Sequence, residues 1–122
     1  MSGNRLIYTV TRGTGTSLIR NAIVEGITFQ FNTGHGFYRP HTDANGIVTD
    51  LRTTNLTPDD IETEISYDVL AFLASGGSLP QPGSGFAGLL QRTVTINNYQ
   101  IVYRTVQINS TTISVSTYFL IP

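Results

Sequence analysis

The chain contains no cysteine, which excludes disulfides, thiolate metal sites and thiol nucleophiles and leaves stability to packing alone. It also lacks lysine. Its basic residues are Arg5, Arg12, Arg20, Arg39, Arg52, Arg92 and Arg104, and a guanidinium suits bidentate recognition of phosphate or carboxylate better than an ammonium does. Charged residues are 12% of the chain and the formal net charge is −1. No broad field therefore attracts a polyanion, and nucleic-acid binding must rest on a local cluster of arginines. No apolar run approaches the ~18 residues that span a bilayer, so no membrane anchor is expected. The stretch Met1 to Arg5 is polar and has no apolar signal core; secretion in its own right is not expected, which leaves delivery within a larger parent chain.

What is present fits one domain over residues 1–122, because two pieces of a 122-residue chain would each be too small to bury an adequate core. Leu6 to Val10 reads as a short strand before the Arg12-Gly13-Thr14-Gly15 turn. A helix is expected next, capped by Thr16 or Ser17, with Leu18, Ile19, Ala22 and Ile23 at helical spacing and Gly26 at its end. Ile27 to Phe31 reads as a strand. Thr57-Pro58-Asp59-Asp60-Ile61-Glu62 is a helix start: threonine caps, proline takes the first turn, and carboxylates face the positive dipole end. Ile61, Ile65, Val69, Phe72 and Leu73 then form a core-facing stripe, ended by Gly76-Gly77. Residues 76–88 are rich in Gly, Pro and Ser and read as a loop.

From Arg92 onward three strands follow, Thr93 to Ile96, Tyr99 to Ile108 and Ile113 to Ile121, with turns at Asn97-Asn98 and Asn109 to Thr112. The fold class is therefore α+β: an N-terminal helical part packed on a C-terminal antiparallel meander of at least three strands. Period-two alternation puts Ile113, Val115, Thr117 and Phe119 on the face toward the helices and Ser114, Ser116 and Tyr118 on the open face.

Residues 32–56 are the least regular stretch, and a loop this long in a compact domain either has a task or contains a short element. Both histidines lie there. Gly34-His35-Gly36-Phe37-Tyr38-Arg39-Pro40-His41 brings two imidazoles and a guanidinium together, suited to general-base and general-acid duty beside a phosphate. The bland alternative is a pair of ordinary surface histidines in a polar loop. His35, His41 and Asp43 are chemically acceptable metal ligands, but their spacing matches no closed-site pattern, and no metal or cofactor is expected. Gly83-Ser84-Gly85 lacks the strand-turn-helix setting of a nucleophile elbow, and the turn from Arg12 to Thr16 offers only the generic anion affinity of a helix start. Glu62 and Glu64 project about 200° apart on a helix; they read as solvated surface.

The order of parts, a Gly-His loop, the Thr-Pro-Asp-Asp-Ile-Glu helix start, a glycine-rich break and strands ending in Ser116-Thr117-Tyr118, resembles the barnase, EndoU and RelE-type ribonuclease superfamily over about residues 33–122. It is most similar to the C-terminal toxin domains of bacterial contact-dependent inhibition and polymorphic toxin proteins, in their RNase A-like or EndoU-like branches. The resemblance implies His35 as general base or acid with His41 as its partner, Arg39 on the phosphate, and Ser116 and Tyr118 assisting from the last strand. EndoU-like members use a lysine, so Arg39 or Arg104 must stand in for it here. The implied reaction is metal-independent cleavage of RNA, with tRNA among the candidate targets, by 2′-hydroxyl attack to a 2′,3′-cyclic phosphate. It also implies a cytoplasmic site of action and a cognate acidic immunity protein covering the His35 and Tyr118 region. Tyr38, Phe37 or Tyr103 is available to stack on an unpaired base.

Two other readings compete. A non-enzymatic protein-binding domain, of immunity, adaptor or phage structural type, fits the abundance of Thr, Asn and Gly with few charges. An ADP-ribosyltransferase using NAD is prompted by Ile7 to Thr14 and Gly36-Phe37-Tyr38, but such enzymes use a late glutamate and the last glutamate here is Glu64.

Overall fold

A computed structural model describes residues 8–81 and 89–122, with the backbone alone at 9–12. It is α+β. Strands β1 (Tyr8–Arg12), β2 (Ile19–Val24) and β3 (Ile27–Phe31) are followed by the four-residue helix α1 (Thr33–Gly36) and a small hairpin of β4 (His41–Thr42) and β5 (Val48–Thr49). The long helix α2 (Pro58–Ala74) comes next, then the meander β6 (Leu90–Ile96), β7 (Tyr99–Asn109) and β8 (Thr112–Leu120). The main sheet has six strands in the order β1-β2-β3-β8-β7-β6. All neighbours are antiparallel except β3 and β8, which run parallel, so the sheet is mixed.

The principal helix is thus in the middle of the chain. The helix expected between Thr16 and Gly26 does not form: a single 3-10 turn over Gly15–Ser17 leads into β2. Two facts explain the difference. Ile19, Ile23 and Val24 are β-branched and prefer a pleated surface. Ala22 and Val24 also alternate inward while Ile23 points out, 70% exposed, which is a period of two. Gly26 is not a helix cap but half of a two-residue hairpin loop, since Val24 pairs with Ile27 and Glu25 and Gly26 have φ of 52° and 81°. These are the left-handed values of a type I′ turn. Asn97 and Asn98 repeat the device between β6 and β7 with φ of 49° and 70°.

The α2 reading holds. Thr57 accepts from the Asp60 amide, the Asp60 side chain accepts from the Thr57 amide, and Pro58 opens the helix. Ile61, Ile65 and Val69 are fully buried against the sheet face that carries Phe29, Phe31, Ile101 and Val115. One helix on one face of the sheet makes two layers, and on the other face the β4–β5 hairpin packs at Phe119. The candidate loop at 76–88 is described only to Gln81, and the Gly83-Ser84-Gly85 segment lies outside the described residues. Among the described residues no helix is long and apolar enough to cross a membrane.

Glu25 occupies a left-handed position that costs a side-chain-bearing residue about 1–2 kcal/mol and asparagine less. Glu25→Asn, which creates the favoured Asn-Gly loop, is expected to raise unfolding stability by about 0.5–1 kcal/mol. Urea unfolding with an unchanged slope checks this; a lower midpoint shows that Glu25 has a stabilising role of its own.

Candidate functional site

Glu62, one turn into α2, is fully buried, contrary to its expected place on the solvated surface. Its Oε2 accepts hydrogen bonds from the Tyr118 hydroxyl at 2.6 Å and the Thr33 hydroxyl at 2.7 Å. Its Oε1 is 2.8 Å from the Arg20 guanidinium. That guanidinium also meets Asp59 at 2.9 Å, donates to Thr33 at 3.2 Å and lies 3.6 Å over the Tyr8 ring. Burial pushes the Glu62 carboxyl above its ordinary range, against the pull of Arg20 and the two hydroxyl donors. The Tyr118 hydroxyl is raised well above its usual value by burial and by the adjacent Glu62. One side chain therefore ties together β2, α1, α2 and β8.

Thr33 begins α1, two residues before His35. The short helix is seated by Gly34 and Gly36. A Cβ on Gly34 would lie 2.3 Å from the Thr16 carbonyl oxygen, and one on Gly36 would lie 2.8 Å from the Tyr118 ring. These glycines permit close approach and leave His35 between them exposed. The Asn32 side chain caps the turn by accepting from the His35 amide at 3.3 Å.

Tyr118 reaches Glu62 because β8 carries a bulge. The register passes from Arg104↔Thr117 to Thr105↔Val115, so Ser116 has no partner. The extra residue reverses the alternation. Ile113 and Val115 face the core as expected, but beyond the bulge Tyr118 turns inward, fully buried, while Thr117 and Phe119 turn to the open face. The expected faces of Tyr118, Thr117 and Phe119 are thus exchanged. On the open side the His41 ring stacks on Phe119, with centroids 3.7 Å apart and planes 14° apart, and the Arg104 guanidinium lies 5.3 Å from the Phe119 centroid. The β4–β5 hairpin that carries His41 is fastened separately by the Thr49 hydroxyl, which donates to the Leu120 carbonyl at 2.6 Å.

Together these elements enclose a cleft of about 350 Å³. Six of the residues singled out in the sequence line it: His35, Arg39, His41, Arg104, Ser116 and Tyr118. Within it both histidines are held below their ordinary pKa. For His35 the causes are partial burial and then Arg39; for His41 they are partial burial and then Arg104, opposed by Asp43. Both imidazoles are therefore largely neutral at pH 7, the form that accepts a proton.

Three assignments change. Tyr118 borders the cleft, but its hydroxyl is spent on Glu62 within the core. Tyr103 cannot stack on a base: its ring is fully buried and its hydroxyl donates to Asp68 at 2.5 Å, beside the Arg92–Asp68 pair at 2.7 Å. Tyr38 is half-buried edge-on against Phe37 at 5.1 Å and is not among the residues lining the cleft. Among the described residues no three of His, Asp and Glu come together as a metal-ligand group, so His35, His41 and Asp43 do not form one. Sequence reasoning missed Glu62, Asn32 and Phe119. The available signal for Glu62 was its spacing to Ser66 and Val69, both fully buried, which puts it on the inner side of α2.

Comparison with known proteins gives no match to any protein-family model, curated protein or solved structure.

Removing the Glu62 carboxylate leaves Arg20, whose side chain is 13% exposed, to Asp59 and takes the acceptor from the buried Thr33 and Tyr118 hydroxyls. Glu62→Ala is expected to cost about 3–5 kcal/mol of unfolding free energy, and Tyr118→Phe, which leaves one acceptor short of a donor, about 1–3 kcal/mol. Chemical denaturation orders the two; equal losses contradict the central place given to Glu62. In an NMR titration both imidazoles should have midpoints below 6.5, with Arg39→Ala raising that of His35 and Arg104→Ala that of His41. A rise in the wrong histidine, or in neither, refutes the electrostatic pairing.

Proposed function

We propose that this chain is a metal-independent endoribonuclease domain of the toxin type. The observation that carries the reading is how the arginines are divided. Of the arginines with described side chains, Arg20, Arg52 and Arg92 are paired with carboxylates. Arg39 and Arg104 have no carboxylate partner among the described residues, and both line the cleft that also holds the two imidazoles. Arg104 donates to the Gln91 side-chain oxygen at 3.0 Å, so neither guanidinium is neutralised by a carboxylate, and a cleft with two neutral imidazoles and two such guanidiniums suits a phosphodiester. It also supplies the local cationic patch that a chain of net charge −1 needs to bind a polyanion.

In this reading an imidazole, His35 by its exposure, takes the proton of the ribose 2′-hydroxyl as the 2′-oxygen attacks the neighbouring phosphorus. Arg39 and Arg104 balance the charge gathering on the phosphoryl oxygens. The bond from phosphorus to the 5′-oxygen then breaks. That oxygen leaves with a proton from solvent or with the one His35 has just taken up, giving a 2′,3′-cyclic phosphate and a free 5′-hydroxyl. DNA, without the 2′-hydroxyl, is left intact. A toxin of this kind acts in the cytoplasm and calls for a cognate inhibitor, and an acidic protein seated over the two arginines fits the charge of the cleft.

The test is incubation of wild type and His35→Ala with total tRNA and with DNA in excess chelator, followed by analysis of the RNA ends. The expected result is cleavage of RNA alone to cyclic-phosphate ends, at least about 100-fold slower in His35→Ala. Intact RNA over a wide protein concentration range removes the ribonuclease reading and leaves a non-enzymatic binding module as the better one.

A further inference from the structure

The two histidines of the cleft are presented differently. His35 stands on α1 between two glycines, exposed, with no ring contact among the described residues, so both ring nitrogens are free to exchange protons. His41 has one ring face engaged: it is stacked on Phe119 at 3.7 Å and 14°, and Arg104 lies 5.3 Å from the same phenyl ring. All three line the cleft alongside His35 and Arg39. The hairpin has a second anchor on β8 besides this stack, the bond from the Thr49 hydroxyl to the Leu120 carbonyl. Planar groups gathered beside a phosphate-binding patch make the surface on which an unpaired nucleobase stacks, since every base has a π-face and an arginine adds a cation–π contribution.

We propose that His41, Phe119 and Arg104 form the nucleobase subsite of this cleft, taking an unpaired base of single-stranded RNA while its phosphate lies against Arg39 and His35. The assignment rests on the ribonuclease reading, and within it separates the imidazoles: His35 transfers protons through its edge, and His41 binds through its face. Burial and a neighbouring arginine lower the pKa of both rings alike, so the division rests on how they are presented, His35 exposed and His41 stacked on Phe119. The subsite is sequence-tolerant by construction, since stacking does not read hydrogen-bonding edges.

The experiment compares His41→Phe with His41→Ala, each checked for an unchanged melting temperature against wild type. In direct binding titrations, adenosine 5′-monophosphate should bind wild type and His41→Phe about tenfold more tightly than ribose 5-phosphate does, and the preference should collapse toward unity in His41→Ala. In RNA cleavage, His41→Ala should raise KM by about tenfold with a smaller effect on kcat, and His41→Phe, which restores a flat ring, should recover most of that loss in KM. The proposal is overturned if the nucleotide binds no better than the sugar phosphate in wild type, or if His41→Phe loses kcat as fully as His41→Ala, which makes His41 a proton-transfer group. If wild type cuts no RNA yet keeps the His41-dependent preference for the nucleotide, the ribonuclease reading falls and the nucleobase subsite stands.

Discussion

The buried contact between Glu62 and Arg20 is the constraint on which the architecture around the cleft depends. A carboxylate with no solvent exposure is tolerated only when its oxygens are satisfied. Here the donors come from three segments far apart in the chain, Arg20, Thr33 and Tyr118. Satisfying one side chain therefore fixes the ends of β2, α1 and β8 relative to α2. The cost of burying the charge is offset by that number of donors, and the arrangement tolerates little displacement of any of them. Its consequence for chemistry is indirect: the group that holds the site together does not line the cleft.

The bulge at Ser116 follows from the same requirement. Without it, the alternation that buries Ile113 and Val115 would bury Thr117 and Phe119 and direct Tyr118 to the open face. Glu62 would lose its shortest hydrogen bond, and a threonine would replace a tyrosine in the core. With it, Tyr118 enters the core and Phe119 is released to stack with His41. A single unpaired residue thus serves both sides of the sheet. The parallel alignment of β3 and β8 belongs to the same design. Their pairing ends at Phe31 and Val115, and the chain leaves β3 through Asn32, whose amide donates to the Val115 carbonyl at 3.0 Å. Beyond that point the flank of β8 faces α1 and the hairpin, where the cleft opens.

Much of this was legible in the sequence where local chemistry decides. The Thr57 cap with Pro58, the stripe Ile61, Ile65 and Val69, and the Asn97-Asn98 turn each carry their instruction within a few residues, and each forms as read. The segment from Thr16 to Gly26 is ambiguous because Leu18, Ile19, Ala22 and Ile23 satisfy a helical spacing while Ala22, Ile23 and Val24 satisfy a strand alternation. The arbiter, pairing of β2 between β1 and β3, is non-local. The site was legible by chemistry more than by geometry. His35, Arg39, His41, Arg104 and Ser116 are residue types suited to a phosphate, and they share one cleft. Tyr118 and Tyr103 were misplaced because orientation on a strand depends on register, and a bulge, which no composition announces, changes it.

The electrostatic arrangement then gives the cleft its character without a strongly charged chain. Among the described side chains three arginines are neutralised in pairs: Asp59 and Glu62 hold Arg20, Asp50 holds Arg52, and Asp68 holds Arg92 along with the Tyr103 hydroxyl. The carboxylates spent on these pairs are not available to Arg39 and Arg104, so their charge acts on what lies beside them, which is the two imidazoles. Guanidiniums without carboxylates favour an anion beside them, while partial burial first, and then the neighbouring guanidinium, disfavours imidazolium at each histidine and keeps it in the form that accepts a proton. A phosphate held in the cleft, as the proposed function requires, would oppose that effect with its negative charge and raise the affinity of both imidazoles for protons. An imidazole that accepts a proton in the empty site would thus be better able to retain it when an anionic ligand is bound, so the charge state of the cleft depends on its occupancy as well as on pH.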